Sequence, residues 1–180
     1  LRLLEQLLQT GISEQVAIES INSILALRTT DEIFATLDLA IVNLQNAMLR
    51  FLKIGSVPSF IKRGDDVFQI EASNLPIGIV KQVEIEMITE QLKQGDLLIM
   101  MSDGIFDGPK HIKNSEIWLK RKIAQLTTND PQAIADLLLE EVVREQGGEI
   151  TDDMTVVVSK IDKFRPKWAS IPVLEHPKIS

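Results

Sequence analysis

Leu97-Leu98-Ile99-Met100-Met101-Ser102-Asp103-Gly104-Ile105-Phe106-Asp107-Gly108 is an unbroken apolar run that ends in two acidic turns. Apolar residues without alternation, bounded by turn residues, read as a strand buried on both faces. Such a strand delivers Asp103 at its end, and Gly104 lets the backbone turn sharply beside it. Asp107 lies on the same short loop. Carboxylates held at strand ends are how proteins bind hard cations such as Mg²⁺ or Mn²⁺. Asp-Gly is also a common turn pair, and on this segment alone both readings stand.

A second segment has the same form: Thr151-Asp152-Asp153-Met154-Thr155-Val156-Val157-Val158. Two adjacent carboxylates precede an apolar strand expected over 154–161. Neighbouring like charges cost energy unless a cation, a base or solvent relieves them, so a solvated turn after Gly147-Gly148-Glu149 is the plain alternative. Between the two segments the pattern predicts a helix over 115–126. Another is launched by Asp130 with Pro131 at its first position, carries a stripe of Ile134, Leu137, Leu138, Val142 and Val143, and is stopped by Gly147-Gly148. That is enough chain to bring the second strand back beside the first. If the strands are neighbours, Asp103 and Asp152 converge.

Working toward the start, Glu84 to Met87 alternates as a strand and Leu75-Pro76-Ile77-Gly78 is a loop with two punctuators. Strands are expected over 33–42, 47–53, 59–63 and 67–71, with turns at Asn43 to Asn46 and Gly64-Asp65-Asp66. The links are too short for crossover helices, which predicts an antiparallel meander. Before them lie two helices. Leu1, Leu4, Leu7 and Leu8 share one face of the first, with Leu3 beside them. After Gly11, Ser13 caps the second, where Val16, Ala17, Ile21, Ile24 and Leu25 recur at helical spacing up to Arg28. The helix at Leu1 has no cap before it, so the chain reads as a fragment of something longer. Residues 164–180 carry Pro166, Pro172 and Pro177 without periodicity and read as an extended tail. Helices, meandering strands, two more helices and a strand make an α+β layered domain.

Composition bounds the chemistry. A length of 180 residues suits one domain. Lys and Arg total 19 against 26 Asp and Glu, a net charge of −7, which argues against nucleic acid as a partner and suits divalent cations or a basic partner. Cysteine is absent, which removes thiol catalysis, thiolate metal centres and disulfides. The two histidines, His111 and His176, cannot make a His-rich zinc site; His111 reads as a surface residue and His176 as an inert part of the tail. No apolar stretch approaches the length of a bilayer span. A carboxylate-only site for Mg²⁺ or Mn²⁺ is the chemistry this composition permits, and such sites favour phosphate substrates.

The ordered set Phe34-Ala35-Thr36-Leu37, Gly55-Ser56-Val57-Pro58, Leu75-Pro76-Ile77-Gly78-Ile79, Ser102-Asp103-Gly104-Ile105-Phe106-Asp107 and Asp152-Asp153-Met154-Thr155-Val156-Val157 resembles the metal-dependent PP2C-like (PPM) phosphatases. Within them it looks most like the bacterial branch acting on anti-anti-sigma factors. The resemblance covers about residues 30–160, with the leading helices also fitting. It implies an α-β-β-α sandwich of two antiparallel sheets flanked by helices, with a dinuclear Mn²⁺ or Mg²⁺ centre at one edge. Carried over by motif, Asp103 and Asp152 are metal ligands, Asp153 supports the site and Asp107 stands behind the ligands. Phosphorus would be attacked in line, with no phosphoenzyme.

The implied function is a protein serine phosphatase that dephosphorylates an anti-anti-sigma protein and so activates a sigma factor in sporulation. The segment would be soluble and cytoplasmic, in a parent anchored in the cell membrane. Residues 1–163 would be a partial phosphatase domain. Its helices in 1–28 would act as a regulatory switch and as a homodimer surface. Two departures stand out: Gly55-Ser56 replaces the Gly-His of many relatives, and the family's upstream Asp-Gly pair, which bridges both metals, has no counterpart. The isolated chain is therefore expected to bind Mn²⁺ weakly and turn over poorly. A catalytically silent PP2C-like regulatory or binding module is the alternative. A haloacid-dehalogenase-like hydrolase lacks its parallel sheet and early Asp-x-Asp motif here.

Overall fold

In the computed structural model the described residues are 2–27, 34–71, 75–79, 85–109, 111–148, 150 and 152–162. The elements run α1 (Arg2–Gln9), α2 (Glu14–Ala26), β1 (Leu37–Asn43), β2 (Met48–Ile54), β3 (Ser59–Arg63), β4 (Asp66–Ile70), β5 (Glu86–Gln91) and β6 (Leu97–Met101). They continue with α3 (Asp103–Phe106), α4 (Ser115–Ala124), α5 (Pro131–Glu145) and β7 (Val156–Lys160). Leu1, Arg28, Ile33, Glu84 and the tail from residue 163 lie outside the described residues.

The strands form two antiparallel sheets, β1-β2-β5 and β4-β3-β6-β7. The strands expected as an antiparallel meander are two antiparallel hairpins on different sheets, the two-sheet sandwich that the resemblance implied. β1 and β2 pair from Leu37 opposite Ile54 to Asn43 opposite Met48, and β3 pairs with β4 across the Gly64 turn. Between the hairpins the chain leaves one sheet for the other at residues 55–58. Gly55 makes that exit, at φ +61, and Pro76 packs so closely that a Cβ on residue 55 would lie 2.7 Å from the proline ring. Both the positive φ and the proline demand glycine there.

The layers are helix, sheet, sheet, helix, because each strand sorts its side chains alternately to two faces. Leu52 and Ile54 of β2 pack with Leu4, Ala17 and Ile18 of α1 and α2. Leu49 and Phe51, on the opposite face, meet Ile61 and Leu98 between the sheets. Phe60, Leu97, Ile99 and Met101 then face Leu119, Ile123, Ile134, Leu138 and Val142 of α4 and α5. Ser13 caps α2 as expected, its side chain accepting from Val16 N–H. The buried stripe of that helix is shifted, however: Ala17 and Ile18 are fully buried while Val16 and Ile24 are 49% and 42% exposed. Leu3 is likewise exposed, with Leu4 alone buried on α1. On α5, Leu137 faces solvent and the core takes Ile134, Leu138 and Val142.

Several ends differ from the sequence expectation. Ordered pairing in β1 begins at Leu37, and Ala35 makes only an isolated bridge to Ile77. That bridge buries Ile77, in a stretch that reads locally as a loop. α4 ends at Ala124 and β7 spans Val156–Lys160. Among the described residues no helix is long and apolar enough to cross a membrane.

Helices α4 and α5 are joined by Glu141, which receives Lys122 Nζ at 2.6 Å and Arg144 Nη2 at 2.5 Å. The hydrogen bond from Lys122, followed by that from Arg144, holds the Glu141 carboxyl below its ordinary value of 4.5. A depressed carboxylate contributes stability above its unfolded value, and that stability is lost as pH falls through the folded value. Glu141→Gln should therefore lower the melting temperature at neutral pH. The gap to wild type should close as pH drops below 4.5, read by thermal denaturation across a pH series.

Candidate active site

The register of β6 on β7 places Met101 opposite Val156, and the two acidic turns follow directly from it. Ser102 N–H donates to Thr155 O at 3.0 Å. The Ser102 hydroxyl accepts Thr155 N–H at 2.9 Å and donates to Asp153 O at 3.1 Å. Ser102 is the N-cap residue of α3, yet its side chain makes no capping bond; it is spent on holding the opposite turn. Gly104 completes the closure. A Cβ there would collide with Asp153 O and sit 3.4 Å from Asp152 Cβ. The turns carrying Asp103 and Asp152 are thus in contact, which is the convergence the strand pattern implied.

Asp103 Oδ1 accepts Gly104 N–H at 3.0 Å and Asp152 Oδ1 accepts Asp153 N–H at 2.8 Å. Each bond closes on the next residue rather than two residues on, so neither is an Asx turn. Among the described residues neither carboxylate joins an ion pair. Asp107 closes the four-residue helix α3 as its C-cap. Partial burial, and then the charge of Asp103, push its carboxyl above the usual range. His111 is a surface residue as expected, with Nε2 3.2 Å from Glu145 Oε2; His176 lies outside the described residues.

Beside Asp103 a cavity of about 270 Å³ opens between the sheets. Asp38 comes from β1 with Thr36 just before it, Gly55, Ser56 and Val57 from the crossover, Met100 and Met101 from β6 with Ser102 and Asp103 after it, and Val157 from β7 with Thr155 just before it. Asp38 Oδ1 and Ser56 Oγ in this wall are buried without a hydrogen-bond partner. Two unpartnered oxygens beside the Asp103 turn are oxygen donors of the kind a hard divalent cation takes, in a wall otherwise lined by Val57, Met100, Met101 and Val157. The described residues supply only part of such a shell, since no three His, Asp or Glu among them stand close enough to hold an ion.

At the same wall the two sheets are tied together by charge, a feature the sequence reading missed. Lys53 is fully buried. Its Nζ donates to Asp38 Oδ2 at 2.7 Å and to Ser59 Oγ at 2.9 Å, while Ser59 Oγ donates to Asp38 Oδ2 at 2.8 Å. Strands β1, β2 and β3 each contribute one member. Burial pushes the Lys53 ammonium below its ordinary value, against the opposing pull of Asp38. Asp38 lies directly opposite Lys53 in the hairpin register, so a cross-strand charge pair at inward positions was the available signal. Ser59 is on the other sheet and gave none.

This layering is the fold of PP2C phosphatase domains, one of which, from the SpoIIE of Bacillus subtilis, matches with a TM-score of 0.83 and 64% identity over 89% of this chain and 49% of that one. The structure of the phosphatase domain of the cell fate determinant SpoIIE from Bacillus subtilis (Mn presoaked) superposes with a TM-score of 0.73 and 63% identity, over 97% of this chain and 77% of that one. The family model for stage II sporulation protein E (SpoIIE) matches residues 1–162, and the chain belongs to that family. Stage II sporulation protein E of Bacillus subtilis (strain 168) is 64% identical over 173 residues, 96% of this chain and 21% of that relative. Phosphoserine phosphatase RsbU of the same organism is 20% identical over 160 residues, 86% of this chain and 47% of the relative. The chain thus spans about a fifth of the length of the first of these.

Two outcomes follow from the site. Gly104→Ala should separate the turns and lower the melting temperature by several degrees, because its Cβ meets backbone rather than a movable side chain. Asp38→Asn should cost about 3 kcal/mol in urea denaturation by removing the carboxylate charge that buried Lys53 donates to, and adding Lys53→Met should recover part of that loss.

Proposed function

We propose that this chain is the larger part of a metal-dependent protein serine phosphatase domain that removes phosphate from a phosphorylated anti-anti-sigma protein during sporulation. The observation that carries the reading is the closure of the Ser102–Gly104 turn on the Asp152–Thr155 turn, which brings Asp103 and Asp152 to one edge of the second sheet. The relatives support the phosphatase part of the reading: one solved relative is a PP2C phosphatase domain, and another relative is a phosphoserine phosphatase.

In this reading Asp103 and Asp152 ligate Mn²⁺ or Mg²⁺, Asp153 supports them, and Asp107 stands behind Asp103. Further ligands would come from outside the described residues. Bound divalent cations neutralise phosphoryl oxygens and lower the pKa of water. The chain's own residues do the positioning. Ser102 fixes the distance between the turns, Gly104 permits it, and the Asp38–Lys53–Ser59 ring fixes the opposite wall of the cavity. Helices α1 and α2 cover the other face of the first sheet through Leu4, Ala17 and Ile18, where a shift of the pair would reach that wall through β2.

The test is Mn²⁺-dependent phosphate release from a phosphoserine anti-anti-sigma protein, measured on this chain and on one extended upstream by some tens of residues. The extended chain should turn over, and Asp103→Asn or Asp152→Asn in it should lower kcat by at least about a hundredfold. The 180-residue chain should be far weaker than its extension. Silence in both would support the binding-module reading instead.

A further inference from the structure

Three charged residues are buried among the described residues: Lys53, Lys62 and Asp96. Lys53 has Asp38, and Asp96 receives Arg63 Nε at 2.9 Å and Nη2 at 2.7 Å. Lys62, on β3 and 6% exposed, has no carboxylate partner among the described residues. Its Nζ donates to Gly64 O at 2.6 Å and to Ala124 O at 3.5 Å. An ammonium has three N–H donors; here one finds a good acceptor and a second an acceptor at the limit of hydrogen-bond range. The carbonyl end of α4 offsets part of the charge, but a buried cation without an anion is an expensive arrangement.

Lys62 lines a cavity of about 400 Å³ whose walls include the Gly64 and Gly95 turns and the chain after α4. Thr127 and Asn129 stand there with polar side chains able to donate. Asp65, exposed in the β3–β4 turn, is the one acidic side chain on the lining. Leu97 also lines it, at the start of β6, whereas Asp103 follows the end of that strand. The cavity is therefore a strand length away from the acidic turns.

We propose that this cavity is a binding site for a small oxyanion, with Lys62 as its charged contact and Thr127 and Asn129 as neutral donors. An oxyanion supplies several acceptors at once, which satisfies the free ammonium donor and balances the buried charge. The inference does not depend on the phosphatase reading, because none of these residues borders the cavity beside Asp103.

The test titrates inorganic phosphate into the 180-residue chain, with EDTA present and chloride matched for ionic strength, following amide chemical shifts. Saturable shifts of Gly64, Gly95 and Thr127 are expected. Lys62→Met should weaken phosphate binding about tenfold, the size of a lost charged hydrogen bond. Thr127→Glu, at an exposed position, places a carboxylate on the cavity wall; it should raise the melting temperature and abolish the phosphate shifts. Shifts confined to residues 102–104, or equal phosphate affinity in wild type and Thr127→Glu, would overturn the proposal, and the second variant decides the matter if Lys62→Met does not fold.

Discussion

Strand β6 has no solvent face, and the arrangement of everything else follows from that. It pairs with β3 on one side and β7 on the other. Leu97, Ile99 and Met101 project into the core under α4 and α5, while Leu98 packs between the sheets. A strand committed on both edges and both faces can offer chemistry only at its ends. The C-terminal end opens into the Asp103 turn and the N-terminal end borders the Lys62 cavity. Shifting its register on β7 by one residue would invert every side chain and pull Ser102 away from Thr155, so the core and the site are specified by the same pairing.

The sheets are also fastened by charge at two places. On one side Lys53, Asp38 and Ser59 form a closed ring across β1, β2 and β3. Elsewhere Arg63 on β3 grips Asp96 with two bonds and donates to Gln91 O on β5 at 3.0 Å. Apolar packing between sheets is tolerant of sliding, since one aliphatic contact resembles the next. Hydrogen-bonded buried charges are not, because a displaced ammonium loses its counter-charge in a medium that cannot replace it. The first fastening lies on the wall of the cavity beside Asp103, where a fixed distance between sheets matters most.

Local signals located most of the elements. Ser13 and Asp130 cap their helices through their side chains, and Pro131 opens α5. Both acidic turns were readable because Asp-Gly and Asp-Asp stand at the ends of apolar runs, and the pairing of β6 with β7 brought them together as that pattern implied. The antiparallel hairpins were legible, but the local pattern did not say which sheet each joins. A short link is compatible with continuing one sheet or stepping to another, and the step at 55–58 is set by Gly55 packing on Pro76, a contact between residues distant in sequence. The shifted stripe on α2 has a similar origin, since Val16, Ile18 and Ile24 are equally apolar and only the sheet beneath selects Ile18.

What the sequence determined by itself was the list of parts: an acidic, cysteine-free chain with two carboxylate turns at the ends of apolar strands, and the ordered motifs that carry its family likeness. Those properties are local or compositional, so a linear reading reaches them. The tertiary structure alone decided which sheet each hairpin joined, that Lys53 is buried against Asp38 and Ser59, and that Lys62 borders a polar cavity while making no ion pair among the described residues. Periodicity says which side chains turn inward, but not what they meet. Burial and charge pairing depend on groups brought together from strands far apart in the chain.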